Sequence, residues 1–312
     1  MVDSSNKKRV IFIVGPTAIG KTAVAMEIAH HLDAEIISAD SRQIYKYLDI
    51  GTAKPNVEDL QQIKHWFVNE LEPDEPFSAG RFGARGREVI KDIHARGKVA
   101  IVAGGSGLYI RALIDGFFEG DVKDERVREA LRKRIELEGM DSLYRDLEKV
   151  DPEGAKKIHP NDQQRILRLM EIYLITKKTL SQLQKNMTPP ADFDPVMYGM
   201  IMPREMLYQR INKRVDAMIE NGLMAEVANL QVMGYLPSQN ALKTVGYREL
   251  FEYFEGDRRF EDMVDEIKKN TRRYAKRQIT WFKADTRITW FDVSNKDDSL
   301  ALVKQILDNY RD

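Results

Sequence analysis

The sequence predicts an α/β fold built on a doubly wound parallel sheet. Five short runs rich in apolar and β-branched residues have the composition of buried parallel strands, and helix-like segments separate them. A glycine-rich loop joins the first of these strands to the first helix, and sheets of this kind bind ligands at the carboxyl ends of their strands. The predicted strands are residues 10–14, 35–38, 99–103, 198–202 and 288–293.

The loop after the first strand has the complete pattern of a phosphate-binding loop. Its glycines let the backbone curl so that successive N–H groups point at phosphate oxygens, and the helix that follows adds the positive end of its dipole. Lys21 is long enough to reach terminal phosphate oxygens, and the Thr22 hydroxyl is placed to ligate Mg²⁺. We expect a diphosphate or triphosphate to bind at Gly15, Pro16, Thr17, Ala18, Ile19, Gly20, Lys21 and Thr22.

An acidic residue, Asp40, follows the second predicted strand, whereas the third strand ends in a glycine-rich turn. Motor-type ATPases usually hold magnesium with an acid at the end of such an apolar strand. A carboxylate after the second strand faces the same crevice as the loop and can take a proton from an acceptor nucleophile. This favours a group transferase with a phosphorylated donor. The alternative is an aspartate that only forms a turn or caps a helix.

Charged and amphipathic helical patterns fill the stretch between the third and fourth strands. They cover residues 124–138, 141–149 and 162–176. We therefore predict a catalytic core formed by residues 1–115 and 195–312, and a mainly helical insertion domain at residues 116–194. The alternative is that these helices pack flat on the sheet.

The composition of the 312 residues narrows the class of protein. Lys and Arg together number 49, as do Asp and Glu, so any basic site must be local. The absence of cysteine excludes disulfides and thiolate metal sites and fits a cytoplasmic protein. His65 and Trp66 lie in a loop-like stretch, and the histidines lack zinc-ligand spacing. We expect a monomer without a membrane segment.

Eight motifs in order closely resemble those of the bacterial tRNA dimethylallyltransferases, also called tRNA isopentenyltransferases. Together they span nearly the whole chain. The motifs lie at residues 15–22, 38–45, 49–55, 104–109, 159–165, 214–223, 245–248 and 271–282.

The resemblance implies a P-loop kinase-like core and a reaction in which dimethylallyl diphosphate is the donor. The acceptor is the exocyclic N6 amine of the adenosine just 3′ of the anticodon, in tRNAs that read codons beginning with U. By resemblance, Asp40 is the general base. Lys21, Thr17, Arg214 and a Mg²⁺ ion near Thr22 then stabilise the departing diphosphate.

Two departures from the family pattern concern the third strand end and the carboxyl end of the chain. Ser106 replaces the usual threonine and keeps its hydroxyl. The Cys/His zinc module of animal and fungal relatives is absent. We therefore expect the core and the insertion to provide the contacts with tRNA.

A basic stripe at residues 268–283 contains seven Lys or Arg residues, no acid, and interleaved aromatic residues, as in proteins that track a nucleic-acid backbone. We expect Arg273 and Arg277 of this stripe to lie outside the diphosphate crevice. The alternative is an amphipathic helix whose charges are only solvated. The family motifs, the insertion helices and the stripe together predict the residues that contact tRNA. They are Asp40, Ser41, Arg42, Gln43, Ser106, Arg128, Gln164, Arg165, Ile166, Leu167, Arg168, Gly246, Tyr247, Arg248, Arg273, Lys276, Arg277 and Gln278.

Two other functions remain open on the residues alone. A small-molecule kinase would bind ATP in the same loop, but this does not explain the basic stripe. A nucleotide-binding protein that contacts RNA without chemistry leaves Asp40 without a role. Transfer of a prenyl group to an anticodon-loop RNA distinguishes these from the transferase.

Overall fold

A computed structural model of the chain describes residues 7–117, 123–184, 188–256 and 258–311. Parts of the predicted core and insertion, namely residues 1–6, 118–122, 185–187, 257 and 312, lie outside this description. The strands are β1 Arg9–Val14, β2 Ala34–Ala39, β3 His65–Trp66, β4 Val99–Gly104, β5 Asp194–Ile201 and β6 Ile288–Asp292.

The helices cover more of the described chain than the strands. They are α1 Lys21–Leu32, α2 Val57–Gln62, α3 Ala79–Ala95, α4 Gly107–Asp115, α5 Glu125–Glu138, α6 Met140–Val150, α7 Pro152–Ala155, α8 Gln163–Thr176, α9 Leu180–Gln184, α10 Arg204–Glu220, α11 Leu223–Val232, α12 Tyr247–Phe254, α13 Phe260–Lys283 and α14 Lys296–Arg311.

The strands form one parallel sheet in the order β3-β2-β4-β1-β5-β6, with helices on both faces. The alternation of side chains along β1 shows how the two faces are buried: Phe12 belongs to one apolar cluster, and Ile11 and Ile13 belong to the cluster on the other side. The predicted doubly wound α/β fold is confirmed.

The short strand β3 was missed, because His65 and Trp66 were predicted to lie in a loop. They pair in parallel with Ile36 and Ile37 at the edge of the sheet. Two residues are too few to show a periodic pattern. The Trp66 indole N–H also donates to Oε2 of the buried Glu35 (2.8 Å), a long-range bond that fixes this edge.

The helices α5 to α8 pack around an apolar cluster of their own, separate from the two clusters on the sheet. This arrangement supports a separate insertion over helices lying flat on the sheet, although the domain boundaries stay a prediction. The fully or nearly fully buried residues of this cluster are Leu131, Leu143, Leu147, Ala155, Ile166, Leu169 and Met170.

Candidate active site

The predicted phosphate-binding loop connects β1 to α1 through a strongly curved backbone. Gly15 and Gly20 have φ angles of 149° and 105°, and Ala18 lies in the left-handed region at 64°. A Cβ atom at Gly15 would lie 2.8 Å from the carbonyl oxygen of Met200, so only glycine fits there. Gly20 is the N-cap of α1 and has no side chain to occupy the first N–H groups of the helix. These amides are therefore suited to bind an anion.

A crevice of about 920 Å³ opens where β1, β2 and β4 end, with α10 and α13 on its other side. Nine Lys and Arg residues and two acids line it, although the whole chain has 49 of each sign. This local excess of positive charge suits a polyanionic ligand. The bases are Lys21, Arg42, Lys54, Arg210, Lys213, Arg214, Lys243, Arg248 and Arg277, and the acids are Asp40 and Asp59.

Asp40, Lys21 and Arg214 interact electrostatically with one another in this crevice. Burial lowers the pKa of Lys21 to about 7, while the Asp40 carboxylate opposes the change and Arg214 adds to it. Burial also lowers the pKa of Arg214, and Asp40 again opposes it. The Lys21 ammonium donates to the Pro16 carbonyl oxygen (2.7 Å). Two partly desolvated cations beside one carboxylate leave a net positive site that a diphosphate would neutralise.

The backbone after β2 fixes the position of Asp40. The Arg42 N–H donates to Asp40 Oδ1 (2.9 Å), and the Ser41 N–H donates to Ser106 Oγ (3.1 Å). Asp40 therefore does form an aspartate turn, which was the alternative to a base. The two roles are compatible, because Asp40 lines the crevice together with Lys21.

Part of the predicted tRNA-binding set lies in this crevice. Gln43 is held from three sides: its Oε1 accepts from Ser38 Oγ (2.9 Å), and its Nε2 donates to the carbonyls of Thr52 (3.3 Å) and Ala53 (3.2 Å). Gln43 therefore holds the segment at Thr52 and Ala53 against the end of β2 and also lines the crevice. The predicted residues found in the lining are Asp40, Ser41, Arg42, Gln43, Gly246, Arg248, Arg277 and Gln278.

The insertion residues predicted to bind tRNA lie on α5 and α8, and none of them is in the crevice lining. Arg128 Nε and Arg168 Nη1 pair with the two carboxylate oxygens of the fully buried Glu171, at 2.8 and 2.7 Å. The side chain of Ile166 is fully buried in the apolar cluster of the insertion, so it cannot contact RNA. Only the main chain of Ile166 could do so. Gln164 and Arg165 are exposed at the start of α8.

Tyr247 also lies below the surface, which corrects its predicted role as a side chain that contacts RNA. Its ring is fully buried, and its hydroxyl donates to Oε1 of Glu226 (2.6 Å). The same glutamate accepts the N–H groups of Asp49, Ile50 and Gly51 at 3.0, 2.7 and 3.2 Å. Glu226 thus ties the segment after β2 to α11. Sequence reasoning missed it, because an isolated glutamate on a helix carries no motif.

A second missed glutamate, Glu249, organises the turn before α12. It is buried, accepts the Gly246 N–H (2.8 Å) and the Asn270 side chain (2.8 Å), and pairs with Arg248. It thereby joins α12 to α13 at the crevice wall. The spacing of Gly246 and Glu249 is that of a capping box and could have revealed this glutamate.

The predicted basic stripe, residues 268–283, forms the last two thirds of α13, but its members lie in different environments. Arg273 and Lys276 are exposed and outside the crevice lining, whereas Arg277 lines the crevice, so the expectation that Arg277 lies outside it is wrong. Phe282 is buried core, and Trp281 is 40% exposed. RNA binding by the exposed charges stays a prediction.

Two findings concern membrane segments and acidic or histidine clusters. Within the four described ranges, no helix is both long and apolar enough to cross a membrane. Among those same residues, no cluster of three or more His, Asp or Glu side chains could hold a metal ion.

Comparison with known proteins assigns a family to this architecture. The family model described as IPP transferase matches residues 43–285. A tRNA dimethylallyltransferase of Caldanaerobacter subterraneus subsp. tengcongensis is 46% identical over 291 residues, which cover 92% of each chain.

Solved structures agree with the sequence comparison. A crystal structure of a tRNA delta(2)-isopentenylpyrophosphate transferase from Staphylococcus epidermidis is 39% identical, has a TM-score of 0.71, and the match covers 98% of this chain and 99% of that one. A eukaryotic dimethylallyltransferase acting on tRNA is 29% identical with a TM-score of 0.79, over 97% of this chain and 80% of that one.

Proposed function

This chain belongs to the IPP transferase family, and on that premise we propose that it transfers the dimethylallyl group of dimethylallyl diphosphate to tRNA. The acceptor is the N6 amine of the adenosine just 3′ of the anticodon, in tRNAs that read codons beginning with U. The observation that carries the proposal is a positive crevice in which one carboxylate, Asp40, faces two partly desolvated cations, Lys21 and Arg214.

The loop of residues 15–22 is proposed to hold the diphosphate. The Thr17 N–H already donates to Gln278, so the loop amides after Thr17 and the start of α1 bind the phosphate oxygens. Lys21 and Arg214 compensate the negative charge that grows on the leaving group. Thr17, which also lines the crevice, is proposed to contact the same group. A phosphate-binding loop of the nucleotide-binding type would thus be used for a prenyl diphosphate.

Asp40 is proposed to accept the proton that the amine loses. The N6 lone pair is delocalised into the adenine ring, so the amine is a weak nucleophile without a base. A bond forms between N6 and the allylic carbon, the bond from that carbon to the diphosphate oxygen breaks, and diphosphate leaves with the bonding pair. Because Oδ1 accepts the Arg42 N–H, we assign the amine proton to Oδ2.

The oxygen groups of the crevice fit a magnesium ion. Mg²⁺ prefers oxygen ligands, keeps several waters and binds through few protein groups together with substrate phosphates. The Thr22 hydroxyl and the Asp40 carboxylate line the same crevice, and we propose Thr22 as the protein ligand. When bound, the ion would supply further neutralisation of the diphosphate charge.

The tRNA must present an unstacked adenosine to this site. Proteins read RNA sequence mainly in single-stranded loops, and extruding one base costs about a few kcal/mol. We propose that Ser41, Arg42, Gln43, Arg248 and Arg277 contact the extruded base and its neighbours, because they line the same crevice as Asp40. The insertion is proposed to contact tRNA through its exposed residues.

The direct test uses purified protein, an anticodon stem-loop RNA and dimethylallyl diphosphate. We expect an RNA product heavier by one dimethylallyl group, with one diphosphate released. A phosphorylated product formed from ATP would instead support a kinase, and RNA binding without any product would support a binding protein. An RNA with guanosine in place of the target adenosine is the matched control and should remain unmodified.

Proton uptake on ligand binding tests the role of Lys21. With a pKa of about 7, Lys21 is mostly neutral at pH 8, and a bound diphosphate raises its pKa and returns the proton. We expect the binding of dimethylallyl diphosphate at pH 8 to take up close to one proton, measured by calorimetry in buffers of different ionisation enthalpy. Lys21→Met should abolish the uptake. Equal uptake by both proteins would contradict the assignment.

The salt dependence of binding tests the exposed part of α13. Replacing Arg273 and Lys276 by Ala should weaken the binding of any tRNA sequence and reduce the slope of log K against log salt by about one unit for each phosphate that is no longer neutralised. Single-turnover transfer at saturating enzyme should be nearly unchanged. Replacing Lys91 and Lys304 by Ala removes the same charge elsewhere and should leave the slope unaltered. An unchanged slope in the α13 variant would mean that its charges are only solvated.

We further propose that the protein works in the cytoplasm, where tRNA is modified, and that it works as a monomer. The proposed chemistry needs no residue from a second subunit, because loop, carboxylate and cations lie on this chain. Sedimentation at the concentrations used for activity tests it: a dimer that dissociates with loss of activity would contradict the proposal.

A further inference from the structure

One face of α13 contacts the whole turn that follows β4. Tyr274, Gln278 and Trp281 follow at intervals of four and three residues, which is the spacing of one helix face. The Ser106 side chain lies close enough to Tyr274 to act on the pKa of its hydroxyl, which burial raises to about 12. A Cβ atom at Gly105 would lie 2.1 Å from Gln278 Nε2, and a Cβ atom at Gly107 would lie 2.1 Å from Trp281 Cδ1. The helix and the turn are thus in contact residue by residue.

Gln278 extends this contact to the phosphate-binding loop. Its Oε1 accepts the Thr17 N–H (2.8 Å), and its Nε2 donates to the Gly105 carbonyl oxygen (3.0 Å). The residue is only 6% exposed. The two partners fix the orientation of the amide, because a flipped amide would set its NH₂ group against an N–H and its oxygen against a carbonyl. No charged side chain of similar size could make both bonds.

The loop needs support from outside its own residues. Ala18, directly after Thr17, has a left-handed backbone that costs about 1 kcal/mol or more and persists only where surrounding contacts fix it. The Thr17–Gln278 bond joins sites 261 residues apart and is a direct restraint on this part of the loop. The adjoining turn also supplies Ser106, which accepts the N–H of Ser41 beside Asp40.

We infer that Gln278 is a positioning residue for the reaction: it holds the Thr17 end of the phosphate-binding loop and the turn after β4 in fixed relation, so that both the diphosphate and the base meet a preformed site. This inference rests on the proposed function for its catalytic meaning. It replaces direct tRNA contact as the main role of Gln278, since both ends of its amide are bonded to protein backbone.

The test compares two variants that alter the amide differently. Gln278→Met keeps the size and removes both hydrogen bonds. Gln278→Glu keeps an acceptor for Thr17 and, when protonated, also a donor for Gly105. Gln231→Met makes the first change at an exposed position of α11 and serves as the control.

We expect Gln278→Met to raise KM for dimethylallyl diphosphate about tenfold or more and to weaken the binding of inorganic diphosphate by a similar factor. The affinity for the anticodon stem-loop should stay within about threefold. The Thr17 amide, observed by NMR on protein labelled at threonine, should exchange faster with solvent. The activity of Gln278→Glu relative to wild type should rise as pH falls, because protonation restores the donor, while that of Gln278→Met should not.

Different outcomes would overturn the inference. If both variants only lowered the active fraction, with unchanged KM and no pH-dependent recovery, Gln278 would have a purely structural role. If tRNA affinity fell while diphosphate affinity held, the residue would contact RNA. The binding of inorganic diphosphate and the exchange of the Thr17 amide remain decisive even if the wild-type protein formed no prenylated RNA, so failure of the proposed function is distinguishable from failure of this inference.

Discussion

Asp40→Asn is expected to lower the rate of prenyl transfer by on the order of 10²-fold to 10⁴-fold while leaving the binding of both substrates nearly intact. The amide keeps the size of the carboxylate and can still accept the Arg42 N–H through its oxygen, so the turn after β2 should survive. What it cannot do is accept the proton of the amine. Single-turnover transfer with saturating enzyme measures this step without the contribution of product release.

Asp59→Asn is the matched control for that experiment. Asp59 is the other acid in the crevice lining, so the variant changes the local charge equally without touching the proposed base. It should stay within about threefold of wild type. If the two variants lost the same factor, the loss would reflect charge alone, and if Asp40→Asn transferred at the wild-type rate, Asp40 would be only a turn residue.

Lys21→Met is expected to have the second largest effect, because it removes the cation nearest to the loop backbone. The Lys21 ammonium donates to the Pro16 carbonyl oxygen, which places it inside the phosphate-binding loop. We expect it to donate to a phosphate oxygen when the diphosphate binds. Losing one preorganised donor to a developing charge typically costs about 10²-fold to 10³-fold in rate. We expect a weaker affinity for dimethylallyl diphosphate and a slower transfer at saturation.

Lys243→Met removes a positive charge from the same crevice and serves as the comparison. Its effect on diphosphate affinity should be smaller than that of Lys21→Met by at least about tenfold. ATP should be neither required nor hydrolysed in step with tRNA modification. ATP hydrolysis coupled to tRNA modification would favour a kinase over a prenyl transferase.

The sequence predicts those parts of the site that consist of contiguous residues. The loop of residues 15–22 and the acid after β2 were located because strand, loop and helix signals are local, and parallel strands bring their carboxyl ends to one edge. The five longer strands were located for the same reason. His65 and Trp66 were not, because a two-residue edge strand depends on its neighbour rather than on its own pattern.

The long-range supports of the site could not be predicted from the sequence. Glu226 and Gln278 accept N–H groups far away in the chain, and nothing near them in sequence indicates which N–H they accept. Glu249 accepts the Gly246 N–H three residues away, and its capping-box spacing is a local signal. Ile166 and Tyr247 are buried, yet they lie within or beside family motifs, so sequence reasoning predicts that they bind tRNA and not that they pack the core. Only the burial of a side chain in the folded protein distinguishes a core residue from a residue that binds a ligand.

The uneven distribution of charge also governs how the substrate arrives. Nine bases and two acids line the crevice, an excess of seven, so the rest of this neutral chain carries seven more acids than bases. Positive charge is therefore concentrated at the crevice, which attracts a polyanion more strongly than the average of the remaining surface. Such steering raises the rate of productive encounter without tightening the final complex, and it acts over roughly the 8 Å screening length of physiological salt.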